Sequence, residues 1–320
     1  MKQNLINIDN FLKKFNLNRQ YLRKNGIQIE TNENTYFPKE ELESGWLMNL
    51  YSEFSKKKQE HIDSMAIVGI GAGVESLLFI EMFKLNKLYC LDINKGVLDV
   101  AYNNVTNNLN EDVNISLVTK YSDLLDYLIS NSIKVNIIYE NLPNLRLSNN
   151  LQIERGLTTA SFYSEANKKE NIDIPAMYDS CMLRLHYRFL LQAKECLLPG
   201  GKVICCIGAR IPISIIKNMF NDLGYKFTLL RIGVVEQLSA EEVLATYSDL
   251  EDRSKNKFLF FTHNKSKVKA ILEQYHSESD IKVFFDSLFG LGISATQALA
   301  IVQAGKRVDH LGLIIEGELL

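Results

Sequence analysis

The stretch AIVGIGAGVES, Ala66–Ser76, joins a short apolar run to a helical pattern through three closely spaced glycines. Gly69, Gly71 and Gly73 allow the backbone to turn tightly and to approach a ligand, and the following helix would offer its unpaired N-terminal amides. A tight turn with no ligand is the competing interpretation, because closely spaced glycines are weak evidence on their own. The stretch therefore predicts a strand, a loop and a helix, and leaves the ligand open.

Short apolar runs alternate with longer amphipathic stretches from Ser64 onward. The strand candidates are MAIVGI, KLYCLDI, VNISLVT, VNIIYE, GKVICCIG and KFLFFT. The helix candidates between them are VESLLFIEMFKL, GVLDVAYNNVTNN, YSDLLDYLIS, DSCMLRLHYRFLLQAKECL and SIIKNMFNDLG. Strands that are apolar on both faces and separated by helices predict a doubly wound, mostly parallel α/β sheet that is covered on each side.

The segments outside this alternation predict extensions at both ends. Helical periodicity in IDNFLKKF and LMNLYSEF predicts an N-terminal helical cap over 1–62, followed by the α/β domain over 63–264. FFDSLFG, ATQALAIVQAG and the closing HLGLIIEGELL predict a C-terminal helical extension over 265–320. The interval 141–177 far exceeds the usual βα loop of roughly 2–6 residues, so we expect a lid-like insert there.

Composition limits the class of protein. The chain has 320 residues, 46% of them hydrophobic, and a net charge of −2, which provides no basic surface for nucleic acid. The five cysteines have no CxxC spacing and the five histidines no metal-ligand spacing, so we expect buried thiols and no metal. No segment is apolar for long enough to span a bilayer, and no signal-peptide core is present. We expect a cytoplasmic protein with a small-molecule partner and no membrane or nucleic-acid partner; the oligomeric state stays open, a homodimer included.

Asp92 ends the second predicted strand, in YCLDINK, some twenty residues after the glycine loop. An acidic side chain at this position can accept hydrogen bonds from both ribose hydroxyls, although an Asp at a strand end is often only a cap. The combination indicates a cofactor that contains adenosine. A dinucleotide fits poorly, because Glu75 and Ser76 follow where a third glycine of GxGxxG is wanted.

The glycine loop, the acidic strand end and the polar end of the fourth strand together resemble class I S-adenosylmethionine-dependent methyltransferases over about Ser64–His263. The resemblance implies a seven-stranded, Rossmann-like sheet with the glycines under the methionine part and Asp92 on the ribose. The implied cofactor contacts are Gly69, Gly71, Gly73, Asp92, Ile93, Ser122, Asp123, Glu140 and Asn141. Ile67 departs from the family pattern, because members usually carry an acidic residue two places before the first glycine.

The fourth predicted strand ends in IYENLPN, Ile138–Asn144, where apolar side chains give way to polar ones. Asn141 could hold a nucleophile there, or could only cap the strand. Its spacing from Tyr178, in IPAMYDS, and the run VICCIG are similar to azetidine-2-carboxylate synthases. That branch closes a ring within S-adenosylmethionine and expels methylthioadenosine. The resemblance implies Asn141, Tyr178 and Cys205 as catalytic residues, with Cys205 standing where the branch has a serine.

Two alternatives remain open. An ordinary methyltransferase for a small amine, hydroxyl or carbon acid would use the same cofactor loops. Its acceptor could be served by Arg146, Arg155, His186 or Glu140. A non-enzymatic cofactor-binding scaffold is the other alternative. The glycine loop, Asp92 and the polar strand end together favour an enzyme.

Overall fold

A computed structural model describes residues 4–13, 19–35, 61–147, 161–164, 172–254, 256–262, 265–272 and 288–320. The predicted helix in LMNLYSEF and the segment FFDSLFG lie wholly or mostly outside these residues. No helix in the described part of the chain is long and apolar enough to cross a membrane.

A large mixed sheet forms the centre of the molecule. Its strands, in spatial order, are β10 (Tyr225–Glu236), β12 (Val308–Leu319), β9 (Leu197–Ala209), β6 (Val135–Glu140), β3 (His61–Val68), β4 (Lys84–Asp92) and β5 (Ser116–Tyr121). The short β11 (Phe261–Thr262) pairs with β12. Five neighbouring strands, from β9 to β5, are parallel, and only the pairs that involve β12 are antiparallel. The prediction of a doubly wound, mostly parallel sheet is confirmed.

Helices cover both faces of this sheet. They are α1 (Asp9–Lys13), α2 (Val74–Met82), α3 (Lys95–Thr106), α4 (Asp126–Ser130), α5 (Ala176–Ser180), α6 (Arg184–Cys196), α7 (Ile213–Asp222), α8 (Ala240–Ser254), α9 (Lys265–Leu272) and α10 (Ala295–Gln303). Phe79 of α2 belongs to one buried apolar cluster, whereas Phe189 and Phe220 belong to the cluster on the other face. Strands enclosed on both faces in this way need the continuous apolar runs seen in the sequence.

The N-terminal region contains strands as well as the predicted helix. β1 (Asn4–Asn7) and β2 (Gln28–Thr31) pair antiparallel. The Asn104 side chain of α3 accepts a hydrogen bond from Glu30 N at 2.7 Å and donates one to Glu30 O at 2.8 Å. Asn108 makes the same two bonds to Gln28. Two buried asparagines thus satisfy the outer edge of β2, so the cap is not purely helical in its described part.

The C-terminal prediction is corrected at its last segment. HLGLIIEGELL was predicted to be helical, yet it forms most of β12, which pairs with β9 on one side and with β10 on the other. A short apolar run does not distinguish a buried strand from a helix, and the pairing of both edges decides in favour of the strand. Gly317 permits it, because a Cβ there would lie 2.7 Å from Val203 Cγ2. The sheet therefore extends well beyond the boundary predicted at 264. Within the predicted extension, α9 and α10 are helical, and α10 corresponds to the predicted helix ATQALAIVQAG.

The interval 141–177 is described only in parts. β7 (Leu145–Arg146) pairs in parallel with β8 (Phe162–Tyr163), and both lie beside the carboxyl ends of the central strands. The described parts of the insert therefore contribute to the surface above the sheet. A lid-like role stays a prediction.

Candidate functional site

A cavity of about 640 Å³ lies beyond the carboxyl ends of the parallel strands, where open α/β sheets bind ligands. Its volume is typical of small-molecule sites, which span roughly 300–1,000 Å³. The residues that line its first half follow β3, β4, β5 and β6: Gly69, Ile70, Gly71, Glu75, Asp92, Ile93, Ser122, Asp123 and Asn141. The second half is lined by residues that follow β9 and β10, together with β12 and α8: Arg210, Glu236, Gln237, Tyr247 and His310.

The glycine loop turns sharply between β3 and α2. Gly69, Gly71 and Gly73 have φ values of 77°, 52° and 83°, which side chains rarely adopt. No described atom lies within 4 Å of the position that a Cβ would take at Gly71, so the backbone there faces open space. At Gly73 a Cβ would lie 3.2 Å from Ala101 O of α3. Gly73 therefore packs α2 against α3 and does not line the cavity, which corrects its predicted contact with a cofactor.

Asp92 joins the end of β4 to the glycine loop. Its carboxylate accepts hydrogen bonds from Gly71 N at 3.2 Å and from Asn94 N at 2.8 Å. Burial raises the pKa of Asp92 above its usual 3.8, and these backbone amides oppose the rise. Asp92 lines the cavity beside the glycine loop.

Ser122 and Asp123 follow β5 and line the same half of the cavity as Asp92. The Ser122 hydroxyl donates to Leu124 O at 2.8 Å and accepts from Tyr127 N at 3.0 Å, which fixes the turn into α4. Asp123 forms an ion pair with Arg188 of α6 at 3.2 Å. Ile93 is 46% exposed and presents an apolar side chain beside Asp92.

Asn141 and Glu75 meet on the floor of the cavity. Burial raises the pKa of the Glu75 carboxyl above 4.5, and a hydrogen bond from the Asn141 side chain opposes the rise. Because the Asn141 amide nitrogen donates to Glu75, the carbonyl oxygen of the Asn141 side chain remains an acceptor for another partner. Glu75 was not among the predicted site residues. Glu75 lines the cavity, whereas Ile67 is buried in an apolar cluster.

Glu140 lies under the cavity and does not line it, which corrects its predicted contact with a cofactor. The side chain is fully buried, with Oε1 3.0 Å from His186 Nδ1. Oε2 accepts a hydrogen bond from Leu142 N at 2.8 Å. Glu140 therefore anchors the turn that carries Asn141, and His186 is its partner, not a base for an acceptor.

Tyr178 does not lie where its predicted role requires. Its side chain is fully buried, its ring centroid is 5.6 Å from that of Tyr187, and its hydroxyl donates to Asp222 at the end of α7. The apolar surroundings and the Asp222 carboxylate raise the pKa of the hydroxyl. Tyr178 is thus part of the core between α5, α6 and α7, outside the residues that line the cavity.

The catalytic role predicted for Cys205 is also not supported by its position. Successive side chains of a strand point to opposite faces, and in β9 it is Cys206 that lines the cavity. Cys206 Sγ lies 3.7 Å from the Tyr139 hydroxyl, whereas Cys205 belongs to the apolar cluster on the other face. Burial raises the pKa of both thiols, so neither is a thiolate near neutral pH. All five cysteines are buried and unpaired, as predicted.

The second half of the cavity was not predicted, because β10 and α8 were not recognised in the sequence. Arg210 directly follows β9, Gln237 directly follows β10, and Tyr247 belongs to α8. Polar residues directly after strand ends were the available signal. Of the predicted acceptor residues, Arg146 is exposed on β7 and Arg155 lies outside the described residues.

Comparisons with known proteins give structural matches only. No protein-family model matches the sequence, and no curated protein matches it. The ribosomal protein L11 methylase of Lactobacillus delbrueckii subsp. bulgaricus matches with 11% identity over 62% of this chain and 76% of its own, at a TM-score of 0.39. The cyclopropane synthase MmaA2 of Mycobacterium tuberculosis matches with 12% identity over 89% and 90%, at a TM-score of 0.42. A methyltransferase of Pyrococcus furiosus matches with 14% identity over 59% and 74%, at a TM-score of 0.35.

The strand order and register define the class of fold independently of these matches. A mostly parallel sheet whose single antiparallel strand is inserted next to its last edge strand is the Rossmann-like fold of methyltransferases. The names of the matched proteins describe those proteins and not this chain.

Proposed function

We propose that this chain binds S-adenosylmethionine and transfers its methyl group to a small acceptor. The observation that carries the proposal is Asp92, whose carboxylate joins the end of β4 to the open glycine turn at Gly71. An acidic strand end beside a glycine turn and a helix N-terminus suits a ribose and an anionic group on one ligand. S-adenosylmethionine supplies an electrophilic methyl group on a sulfonium.

In this proposal, each residue around the first half of the cavity contacts a different part of the cofactor. Asp92 accepts hydrogen bonds from the ribose hydroxyls, and Ser122 and Asp123 lie beside the adenine. The amides of the glycine loop face the carboxylate of the methionine part. Glu75 supplies a negative charge for its ammonium group, the role that an acid at Ile67 would otherwise take.

Asn141 orients the acceptor in this proposal. Its amide nitrogen donates a hydrogen bond to Glu75. Its carbonyl oxygen can therefore accept a hydrogen bond from an amine or a hydroxyl group of the acceptor. An electron pair of the acceptor forms a bond to the methyl carbon, and the carbon–sulfur bond breaks with its electron pair remaining on sulfur. S-adenosylhomocysteine leaves, and the proton that the acceptor loses passes to solvent. Positioning of the two reactants contributes much of the rate in such a transfer.

Ring closure within S-adenosylmethionine is the second candidate. The α-amine would attack the γ-carbon, the carbon–sulfur bond would break, and methylthioadenosine, azetidine-2-carboxylate and a proton would result. Asn141 supports this candidate, because it lines the cavity as a neutral acceptor. Tyr178 and Cys205 do not support it, since both lie outside the lining, and methyl transfer is therefore the better-supported proposal. A cytoplasmic location and a small-molecule partner stay predictions.

Identification of the released nucleoside distinguishes the two reactions. The purified protein is incubated with S-adenosylmethionine alone, and then with mixtures of small amines, alcohols and carbon acids. S-adenosylhomocysteine formed only with an acceptor supports methyl transfer. Methylthioadenosine formed without an acceptor supports ring closure and contradicts methyl transfer. Absence of cofactor binding by calorimetry would contradict both.

A further inference from the structure

Arg210 is a buried cation in the second half of the cavity. Arg210 directly follows the last residue of β9 and is only 8% exposed. Its guanidinium lies 5.2 Å from the ring centroid of Tyr247 and 5.8 Å from that of Phe260. Nε and Nη2 both donate to Gln237 Oε1, at 3.2 and 2.6 Å. The Tyr247 side chain also forms a hydrogen bond with the guanidinium. The described partners of Arg210 are therefore an amide oxygen, a phenol and two aromatic rings.

No described carboxylate pairs with Arg210. Two of the carboxylates that line the cavity are engaged elsewhere: Asp123 with Arg188 at 3.2 Å, and Glu236 with Arg307 at 3.5 Å. His310, also in the lining, adds no charge, because burial and the adjacent Arg210 lower its pKa well below 6.5. A buried charge that meets only neutral partners is costly, and a guanidinium does not escape the cost by losing its proton.

The Nη1 end of the guanidinium lies close to Gly208 and Asn144, which both line the cavity. A Cβ at Gly208 would lie 2.3 Å from Arg210 Nη1 and 3.2 Å from Asn144 Oδ1. Nη1 is therefore close to the last residue of the turn that carries Asn141. The glycine at 208 leaves the space that the guanidinium occupies.

The position of Arg210 separates it from the cofactor half of the cavity. β9 is two strands away from β3 in the sheet, which corresponds to roughly 10 Å. The glycine loop and Asp92 follow β3 and β4, whereas Arg210 and Gln237 follow β9 and β10. A ligand over the second half would meet the cofactor near Asn141, at the end of β6 between the two halves.

From this arrangement we propose that the methyl acceptor carries a carboxylate, which binds the Nη1 end of the Arg210 guanidinium. The inference rests on the proposed function, because it names the class of the second substrate in the same cavity. A guanidinium edge matches the two oxygens of a carboxylate, and the apolar rings around it exclude the water that would weaken the pair. The nucleophilic atom of this acceptor then lies towards Asn141.

The binding experiment uses full-length protein saturated with S-adenosylhomocysteine and titrated with acetate or with acetamide, its neutral isostere. Wild-type protein should bind acetate at least about tenfold more tightly than acetamide. Arg210→Gln should abolish this preference, and Arg210→Lys should retain part of it. Lys226→Gln is the matched control, because it removes one positive charge from the exposed opposite end of β10.

Gly208→Ala provides a second variant that keeps the charge. The new methyl group must displace Nη1, so acetate affinity should fall about tenfold while S-adenosylhomocysteine affinity is unchanged. This variant decides the question if Arg210→Gln does not fold. Equal binding of acetate and acetamide by wild-type protein, absence of acetate binding, or unchanged acetate affinity in Gly208→Ala would each overturn the inference.

The acceptor itself is identified with S-adenosylmethionine that carries a deuterated methyl group. The protein and this cofactor are incubated with a metabolite extract, and labelled products are identified by mass spectrometry. We expect labelled products to contain a carboxylate. A labelled product without a carboxylate would overturn the inference and leave methyl transfer intact. Absence of cofactor binding, or methylthioadenosine from the cofactor alone, would instead overturn the proposed function.

Discussion

The buried pair of His186 and Glu140 should be among the most sensitive points of the fold. His186 Nδ1 lies 3.0 Å from Glu140 Oε1, and neither side chain is exposed to solvent. The other oxygen of Glu140 holds Leu142 N, so the pair fixes the turn that carries Asn141. His186→Leu removes one partner, fills a similar volume and leaves the carboxyl group with the Leu142 amide and the Cys205 thiol.

The expected loss of unfolding free energy depends on the Glu140 carboxyl group, which stays buried without His186. Removing one partner of a buried hydrogen bond typically costs about 1–3 kcal/mol, because the other polar group stays buried without it. His186 Nε2 has no hydrogen-bond partner among the described residues, so its removal adds nothing to the loss. We therefore expect His186→Leu to lower the free energy of unfolding by about 1–3 kcal/mol.

Urea unfolding of three variants measures this. The double variant His186→Leu/Glu140→Gln should recover part of this loss, since the glutamine amide oxygen still accepts from Leu142 N and its uncharged amide costs less to bury than a carboxyl group that lacks a partner. His61→Leu is the control, because His61 is exposed at the start of β3 and should change stability by less than about 0.5 kcal/mol. A loss below about 1 kcal/mol in His186→Leu, with no recovery in the double variant, would refute the anchoring role.

Three further substitutions test other parts of the site. Asp92→Ala should weaken S-adenosylhomocysteine binding by about 1.5–3 kcal/mol, since a charged acceptor is lost, and unchanged affinity by calorimetry would remove Asp92 from the site. Tyr178→Phe should lower the free energy of unfolding by about 1–3 kcal/mol through loss of its bond to Asp222, with an unchanged turnover rate. A slower turnover at unchanged stability would return Tyr178 to the site. Burial raises the pKa of Glu75 above 4.5, so ionisation of this group lowers the stability of the free protein as pH rises above 4.5. Glu75→Gln lacks that loss. The urea midpoint of the variant minus that of the wild type should therefore increase between roughly pH 4 and pH 7, and a constant difference would contradict the pKa shift.

The sequence by itself determined the features that depend on neighbouring residues. The glycine loop, the apolar strands and Asp92 at the end of β4 are short local patterns, and each has its predicted place in the structure. Gly69, Gly71, Asp92, Ser122 and Asn141 lie together for a simple reason. The carboxyl ends of parallel strands meet at one edge of the sheet, so residues that follow them converge.

The tertiary structure alone decided the features that depend on distant partners. HLGLIIEGELL becomes a strand because β9 and β10 offer it two edges, and nothing within the segment distinguishes that outcome from a helix. Tyr178 turns away from the cavity because Asp222, far along the chain, accepts its hydroxyl. Arg210 lines the cavity because Gln237, Tyr247 and Phe260 come together around it. Periodicity and turn chemistry are local properties of a chain, whereas strand pairing and side-chain partners depend on contacts between residues far apart in sequence.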